Sequence, residues 1–484
     1  MNNIIGKYKL LSAPVKSALW FTICNLLVKG ISFISVPIFT RMMSDEEYGI
    51  LSIFMSYEQV ILIIATWEIQ LGAYQKGLFN YREDQKLFTS ATQALVNILT
   101  VVVFAIIFLL KDPIINLTGM SIGVLAVLFV YLLLQPSYSC WLARKRTEYD
   151  YKPAVIVTFI YSVANVLIPM VALCTVGQTA NVKFTFTLIA SCAVCIIFYI
   201  PFANYSTLIK YWNKVKEFWE FLIRFEAPLV LHSLSYLILS QSDRIMIGSM
   251  VGNAQAAYYS VAYNLANLVN ILQTSLNQSL LPWRYEMLEK KNYKRIAEVS
   301  NYLLIGVSTV IFMFVLVSPE IMRIFFISSY YEAVWCIPPI AVSVYFMFLY
   351  TIFVNIETYY EKTRYVMYVS VSCGLLNIVL NYVCIQIFGY IACGYTTLFS
   401  YMCFSVGHYI FMQRVLKNEA DGAKVVDVRM IVLISFTVVV LSIISTLLYP
   451  LIFVRYGILL AICVVAFVFR KKMMNIINSI RTKN

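Results

Sequence analysis

Residues Ile238–Met250 read ILSQSDRIMIGSM, an apolar stretch holding Asp243 and Arg244 side by side. Such a pair is ordinary in water and costly in hydrocarbon, so the solvent around this segment decides the fold. The composition answers: the 484-residue chain is 61% hydrophobic and 13% charged, with mean hydropathy +0.78. A soluble domain is about 45–50% apolar and about 25% charged. No water-soluble core of this length hides that excess, which assigns the chain to the bilayer.

Outward from Ile238, apolar runs of spanning length recur along the whole chain. Six precede the quoted stretch, near 19–39, 48–71, 89–110, 120–141, 153–176 and 184–202. Six more lie near 228–251, 257–281, 302–318, 334–356, 365–388 and 391–412, and a last pair near 430–449 and 456–469. The expectation is an all-α polytopic membrane protein with about fourteen transmembrane helices. The basic residues orient it. With the N-terminus in the cytoplasm, most of the 37 Lys and Arg fall on the inner side. The outer loops hold only Arg41, Lys111, Lys183, Arg323 and Arg455, while Lys29 and Arg244 lie inside spans. This asymmetry is the positive-inside pattern. It predicts a cytoplasmic (inner) membrane protein with both termini inside, and it accounts for the +13 net charge without nucleic acid. The basic clusters read as topology signals and anionic-lipid contacts.

The 11 cysteines show no metal-ligand spacing and no disulfide framework. The two histidines, His232 and His408, each stand alone in an apolar run and read as hydrogen-bonded helix residues. No metal, cofactor or catalytic group is expected. The longest polar connection, NYSTLIKYWNKVKEFWEFLIRFEA (204–227), is basic and amphipathic and reads as a helix on the membrane surface. It separates six spans from six. MMSDEEYGILS (42–52) and MVGNAQAAYYS (250–260) fall at matching places in the two sets. That echo predicts two repeats, residues 1–208 and 209–414, with 415–484 carrying the last pair and a basic tail. Paired repeats commonly place a transport site at their interface.

Charges inside a bilayer face protein or a wet cavity, at about 2.5–3.5 kcal/mol each on insertion scales. On a helical projection Ser233, Tyr236, Ser240, Asp243 and Arg244 share roughly a 100° arc. Thr22, Asn25, Lys29 and Ser32 form a second stripe. Asn264, Asn267, Asn270, Thr274, Asn277 and Gln278 form a third, amide-rich one. The plain reading is interhelical hydrogen bonding, which fits Asn377 and Asn381. Six polar side chains on one face fit a wet, substrate-facing cavity better. Amides and hydroxyls suit sugar hydroxyls, while Lys29 and Arg244 suit an anion. Glu58, Glu68 and Asp243 are the candidates for ion coupling, with Glu58 and Glu68 equally readable as counter-charges.

VPIFTRMMSDEEYGILS (36–52) and SDRIMIGSMVGNAQAAYYSVAY (242–263) resemble the Wzx-type polysaccharide repeat-unit flippases. These form the polysaccharide-export branch of the multidrug/oligosaccharidyl-lipid/polysaccharide superfamily. The resemblance implies two pseudo-symmetric six-helix lobes in a V plus two C-terminal helices, with an alternating-access cavity among spans one, two, seven and eight. It implies an undecaprenyl-diphosphate-linked oligosaccharide as substrate, moved from inner to outer leaflet for O-antigen or capsule. Partners implied are a polysaccharide polymerase and a chain-length protein. Lys29 and Arg244 occupy positions that could hold the diphosphate or acidic sugars. Two rivals stand. A multidrug or cation antiporter of the superfamily would be expected to carry a carboxylate where this chain has Lys29. A membrane polymerase or glycosyltransferase would need a larger outer loop than PEIMRIFFISSYYEA (319–333).

Overall fold

A computed structural model describes residues 13–202, 205–360 and 362–481. They form seventeen α-helices, with no strand among the described residues. In chain order these are α1 (Ala13–Met42), α2 (Asp45–Thr66), α3 (Ala73–Asn80), α4 (Gln85–Leu109), α5 (Lys111–Thr118), α6 (Ile122–Thr147), α7 (Tyr151–Thr175), α8 (Ala180–Tyr199) and α9 (Tyr205–Lys210). They continue with α10 (Trp212–Met250), α11 (Asn253–Glu289), α12 (Tyr293–Phe325), α13 (Ile337–Tyr359), α14 (Thr363–Phe388), α15 (Ala392–Glu419), α16 (Val428–Leu447) and α17 (Ile452–Arg481).

Each of the fourteen expected segments lies on a helix of its own. Among the described residues ten helices are long and apolar enough to cross a membrane, eleven if the bent α10 is one span. The other three long helices, α11, α15 and α17, are shorter in apolar length or more polar. Short polar signals set the helix starts. Ser44 accepts the Glu47 N–H at 3.2 Å ahead of an acidic first turn, which suits the positive end of the dipole. Ser121, Thr179, Asn292 and Asp427 cap α6, α8, α12 and α16 in the same way.

From Tyr205 the amphipathic connection is helical, but it is not one helix of its own. From Trp212 it is the first arm of α10, which bends by 41° between Ala227 and Leu229. The sequence has Pro228 there, which lacks the N–H that would continue the ladder. Val215, Phe218 and Leu222 turn the apolar face of this arm onto Tyr74, Leu78 and Phe88 of α3 and α4. The amphipathic pattern is thus satisfied by protein on that face.

Contacts divide the chain into two compact units, one of residues 1–261 with 363–393, the other of 262–362 with 394–484. In the first, α10 packs on α14 and α2, α8 lies between α6 and α7, and α1 rests mainly on α7. In the second, α12 packs on α13 and α16, and α13 is buried along almost its whole length. This contact division does not follow the 208/209 boundary of the sequence repeats. The repeat assignment stays a proposal about ancestry and symmetry.

The two echoing motifs meet inside the first unit. A Cβ on Gly49 would stand 1.8 Å from the Asn253 carbonyl oxygen, so the backbones of α2 and α11 touch where the side chain is missing. Beside this contact Tyr258 donates its hydroxyl to Asp45 at 3.0 Å.

Candidate functional site

The polar stripes take three different environments. On α11 the polar face is the uncovered one. Asn264, Thr274 and Gln278 are exposed and Asn267, Asn270 and Asn277 half-buried, while Ala262, Leu265, Ala266 and Val269 on the opposite side are buried. Local bonds keep this face ordered: Asn270 donates to Asn267 at 3.5 Å, Thr274 to the Asn270 carbonyl at 2.8 Å, and Asn355 to Asn277 at 2.8 Å. A lipid-facing helix shows the reverse pattern, apolar outward. On α1, Thr22, Asn25, Lys29 and Ser32 are all exposed, as are Leu26, Leu27 and Ile34, because little of this helix is covered.

Asp243 and Arg244 do not line open space. Asp243 is fully buried and Arg244 nearly so. The Asp243 carboxylate accepts the Tyr259 hydroxyl and the Asn381 amide at 2.6 Å. Arg244 donates to the Ser260 hydroxyl at 3.1 Å, the Ser240 carbonyl at 2.8 Å and the Gln241 side chain at 2.6 Å. The network extends through Ser56 to Gln241 at 3.2 Å, and through Ser242 and Asn381 to Asn377 at 3.1 and 3.2 Å. It ties α10 to α2, α14 and the start of α11. A buried polar network satisfied this fully rigidifies and specifies packing. Of the α10 stripe, then, Ser240, Asp243 and Arg244 are brought together in the helix core, and Tyr236 is half-buried.

The acidic candidates separate. Glu58 on α2 has Lys183 of α8 as its charged neighbour, and Lys183 lies over the Phe39 ring at 4.8 Å. Glu68 sits in the turn after α2 with φ of 52°, beside Ser233 and close to the Glu226 carboxylate. Glu226 accepts the Ala73 N–H at 2.7 Å, and only a glycine at position 72 leaves it room, a Cβ there being 2.6 Å from its oxygen. Both histidines are hydrogen-bonded: His232 with Ser370 at 2.8 Å, and His408 with the buried Glu357 at 3.2 Å.

Sequence reasoning missed several of these groups. Glu226, Glu357, Lys183, Arg284 and Arg455 read as loop or boundary residues, yet all are buried. Their only sequence signal was nearness to an apolar run.

Comparison with known proteins follows the same lines. The family model described as "Polysaccharide biosynthesis protein" matches residues 15–288, and the MatE model matches 228–383. A protein of the Lsg locus of Haemophilus influenzae is 22% identical over 379 residues, covering 75% of this chain and 89% of its own. The structure is similar to an inward closed lipid II flippase MurJ, with TM-score 0.68, 14% identity, and 94% of this chain and 100% of that one covered. It is also similar to an inward-facing multidrug resistance MATE transporter, with TM-score 0.61, 12% identity, and 82% and 99% covered.

Proposed function

The chain belongs to the polysaccharide biosynthesis protein family, and from that premise we propose that it is a flippase for a lipid-linked oligosaccharide. The cargo in this reading is one undecaprenyl-diphosphate-linked repeat unit of an O-antigen, capsule or similar glycan. It crosses from the inner to the outer leaflet of the cytoplasmic membrane by alternating access, without bond making or breaking.

The observation that carries the proposal is the inverted α11. In a multi-pass membrane protein, an uncovered face of five amides and a hydroxyl has to meet water, because unsatisfied polar groups in hydrocarbon cost several kcal/mol, on the order of 2–7 each. Such a face offers a sugar chain repeated donors and acceptors without net charge. Asn25 and Lys29 extend the same chemistry on α1, Lys29 serving the diphosphate as a point charge. On α10 Tyr236 is half-buried and Ser240 buried, and Arg244 is held in the buried network.

Cysteine substitution tests the wet face. With all 11 native cysteines replaced, Asn264→Cys, Asn267→Cys and Thr274→Cys should react with a membrane-impermeant thiol reagent, and Leu265→Cys and Val269→Cys should not. Equal protection of both sets would return α11 to dry helix packing. The function itself is read as surface glycan in a host lacking its own flippase. The chain should restore it, and Lys29→Ala should lower it about tenfold at equal abundance, the loss of one charge-assisted contact.

The MatE match and the MATE-like fold favour a second reading, a drug or cation antiporter. Resistance to cationic compounds with no restoration of glycan would select it. Lys29 argues against it, since an exposed cation on α1 repels such cargo.

A further inference from the structure

A groove of about 480 Å³ lies in the first unit, apart from every residue assigned above. Ile98, Val101 and Val102 of α4 form one wall, and Ile209, Trp212 and Trp219 of α9 and α10 the other. The sequence builds the second wall by spacing: Trp212 and Trp219 are seven residues apart, two helical turns, so both indoles share a face. Their rings meet edge to face at 5.4 Å. Val101 and Val102 remain about half exposed, so the groove is open to its surroundings.

Its interior has no polar group to offer. Asn97, the one amide in the lining, accepts from Gln93 at 2.8 Å and donates to Tyr199 at 3.0 Å. The Trp219 indole N–H is bound to the Ala91 carbonyl at 2.8 Å. Sugar would find nothing there, and hydrocarbon fits. The rim is different. Lys210 lies over the Tyr211 ring at 5.5 Å and Lys216 over the Trp212 ring at 5.9 Å, while Lys214 is taken by Asp84 at 2.7 Å. The Lys216 ammonium therefore stands against a ring of the apolar slot, and Lys210 follows the lining residue Ile209 in the chain, where the arm carries tryptophans, residues that favour the headgroup level.

Hydrocarbon inside and positive charge beside it describe one kind of ligand. We propose that this groove seats an acyl chain of an anionic phospholipid, whose phosphate meets Lys210 and Lys216. The site is separate from the glycan path and does not depend on which cargo is carried. It gives the arm Trp212–Ala227 a lipid to rest on, on the face that the protein core leaves uncovered.

The test uses the full chain in phosphatidylcholine vesicles holding either phosphatidylglycerol or phosphatidylcholine with brominated acyl chains, which quench nearby tryptophan emission. The brominated phosphatidylglycerol should reach half-maximal quenching at about a fivefold lower mole fraction. That preference should vanish in Trp212→Phe/Trp219→Phe, which removes the two tryptophans of the groove and leaves the other five as background. It should fall to the phosphatidylcholine level in Lys210→Gln/Lys216→Gln, which keeps them. Val101→Phe, filling the slot, should weaken quenching by both lipids. Equal quenching by the two lipids in the unaltered chain would overturn the proposal as ordinary boundary contact. So would a preference that survives loss of both tryptophans.

Discussion

Asp243→Asn depletes the protein from the membrane; this is the expected result, ahead of any specific loss of transport. Both carboxylate oxygens are used, one by the Tyr259 hydroxyl and one by the Asn381 amide. An asparagine offers one oxygen and turns an NH₂ toward one of these donors. Tyr259 can rotate its hydroxyl to accept, so the hydrogen-bond count nearly recovers. The charge does not: the two charge-assisted bonds to the carboxylate become neutral ones in a fully buried place. That costs roughly 1.5–3 kcal/mol, a large share of a total stability of about 5–15 kcal/mol. Immunoblots of membranes and the unfolding temperature in detergent measure it. Normal abundance with lost glycan export would instead make Asp243 a group that acts on cargo or ion.

The second large effect is expected at Glu320 and Arg455. Arg455 is almost fully buried. It grips Glu320 with two bonds of 2.7 and 2.6 Å and reaches the Leu316 carbonyl at 2.5 Å, a bidentate fork that lysine cannot copy. With the Ser318–Tyr449 bond at 3.0 Å, it fastens the start of α17 and the end of α16 to α12. Glu320→Ala strands a buried cation and should cost about 3–5 kcal/mol. Arg455→Ala should cost somewhat less, because Glu320 is partly exposed and keeps some water. The double change Glu320→Leu/Arg455→Leu should recover much of the loss, with a coupling of about 0.5–3 kcal/mol. Losses that simply add would mean that the fork contributes nothing.

The helices were legible because apolar runs of spanning length are long-period signals that survive errors of several residues. Even α11, too polar to pass as a span on composition, stood out through its flanking alanine, valine and leucine residues. Its stripe was legible too, since one helix suffices to define a face. What a single helix does not carry is which face is covered. The α10 stripe and the α11 stripe looked equivalent in projection, yet α10 turns its polar residues into α14 and α2 while α11 turns its own outward. That difference is made by partners more than 100 residues away, such as Asn377 and Asn381. Arg455 and Lys183 were misplaced in loops for a related reason. A charge next to an apolar run reads as a boundary, and only a partner such as Glu320, 135 positions earlier, reveals that the helix continues through it. The short α3 was hidden because its N-terminus is capped from a distance by Glu226.

The touch between Gly49 and Asn253, with its Asp45–Tyr258 bond across 213 positions, has a consequence for biogenesis. At about 5–20 residues per second, a ribosome needs roughly 10–40 s to travel from the first partner to the second. During that interval α2 is made before Asn253 and Tyr258 exist, so the close approach at Gly49 and the Asp45–Tyr258 bond are still to form. That seat closes only when translation has passed the middle of the message.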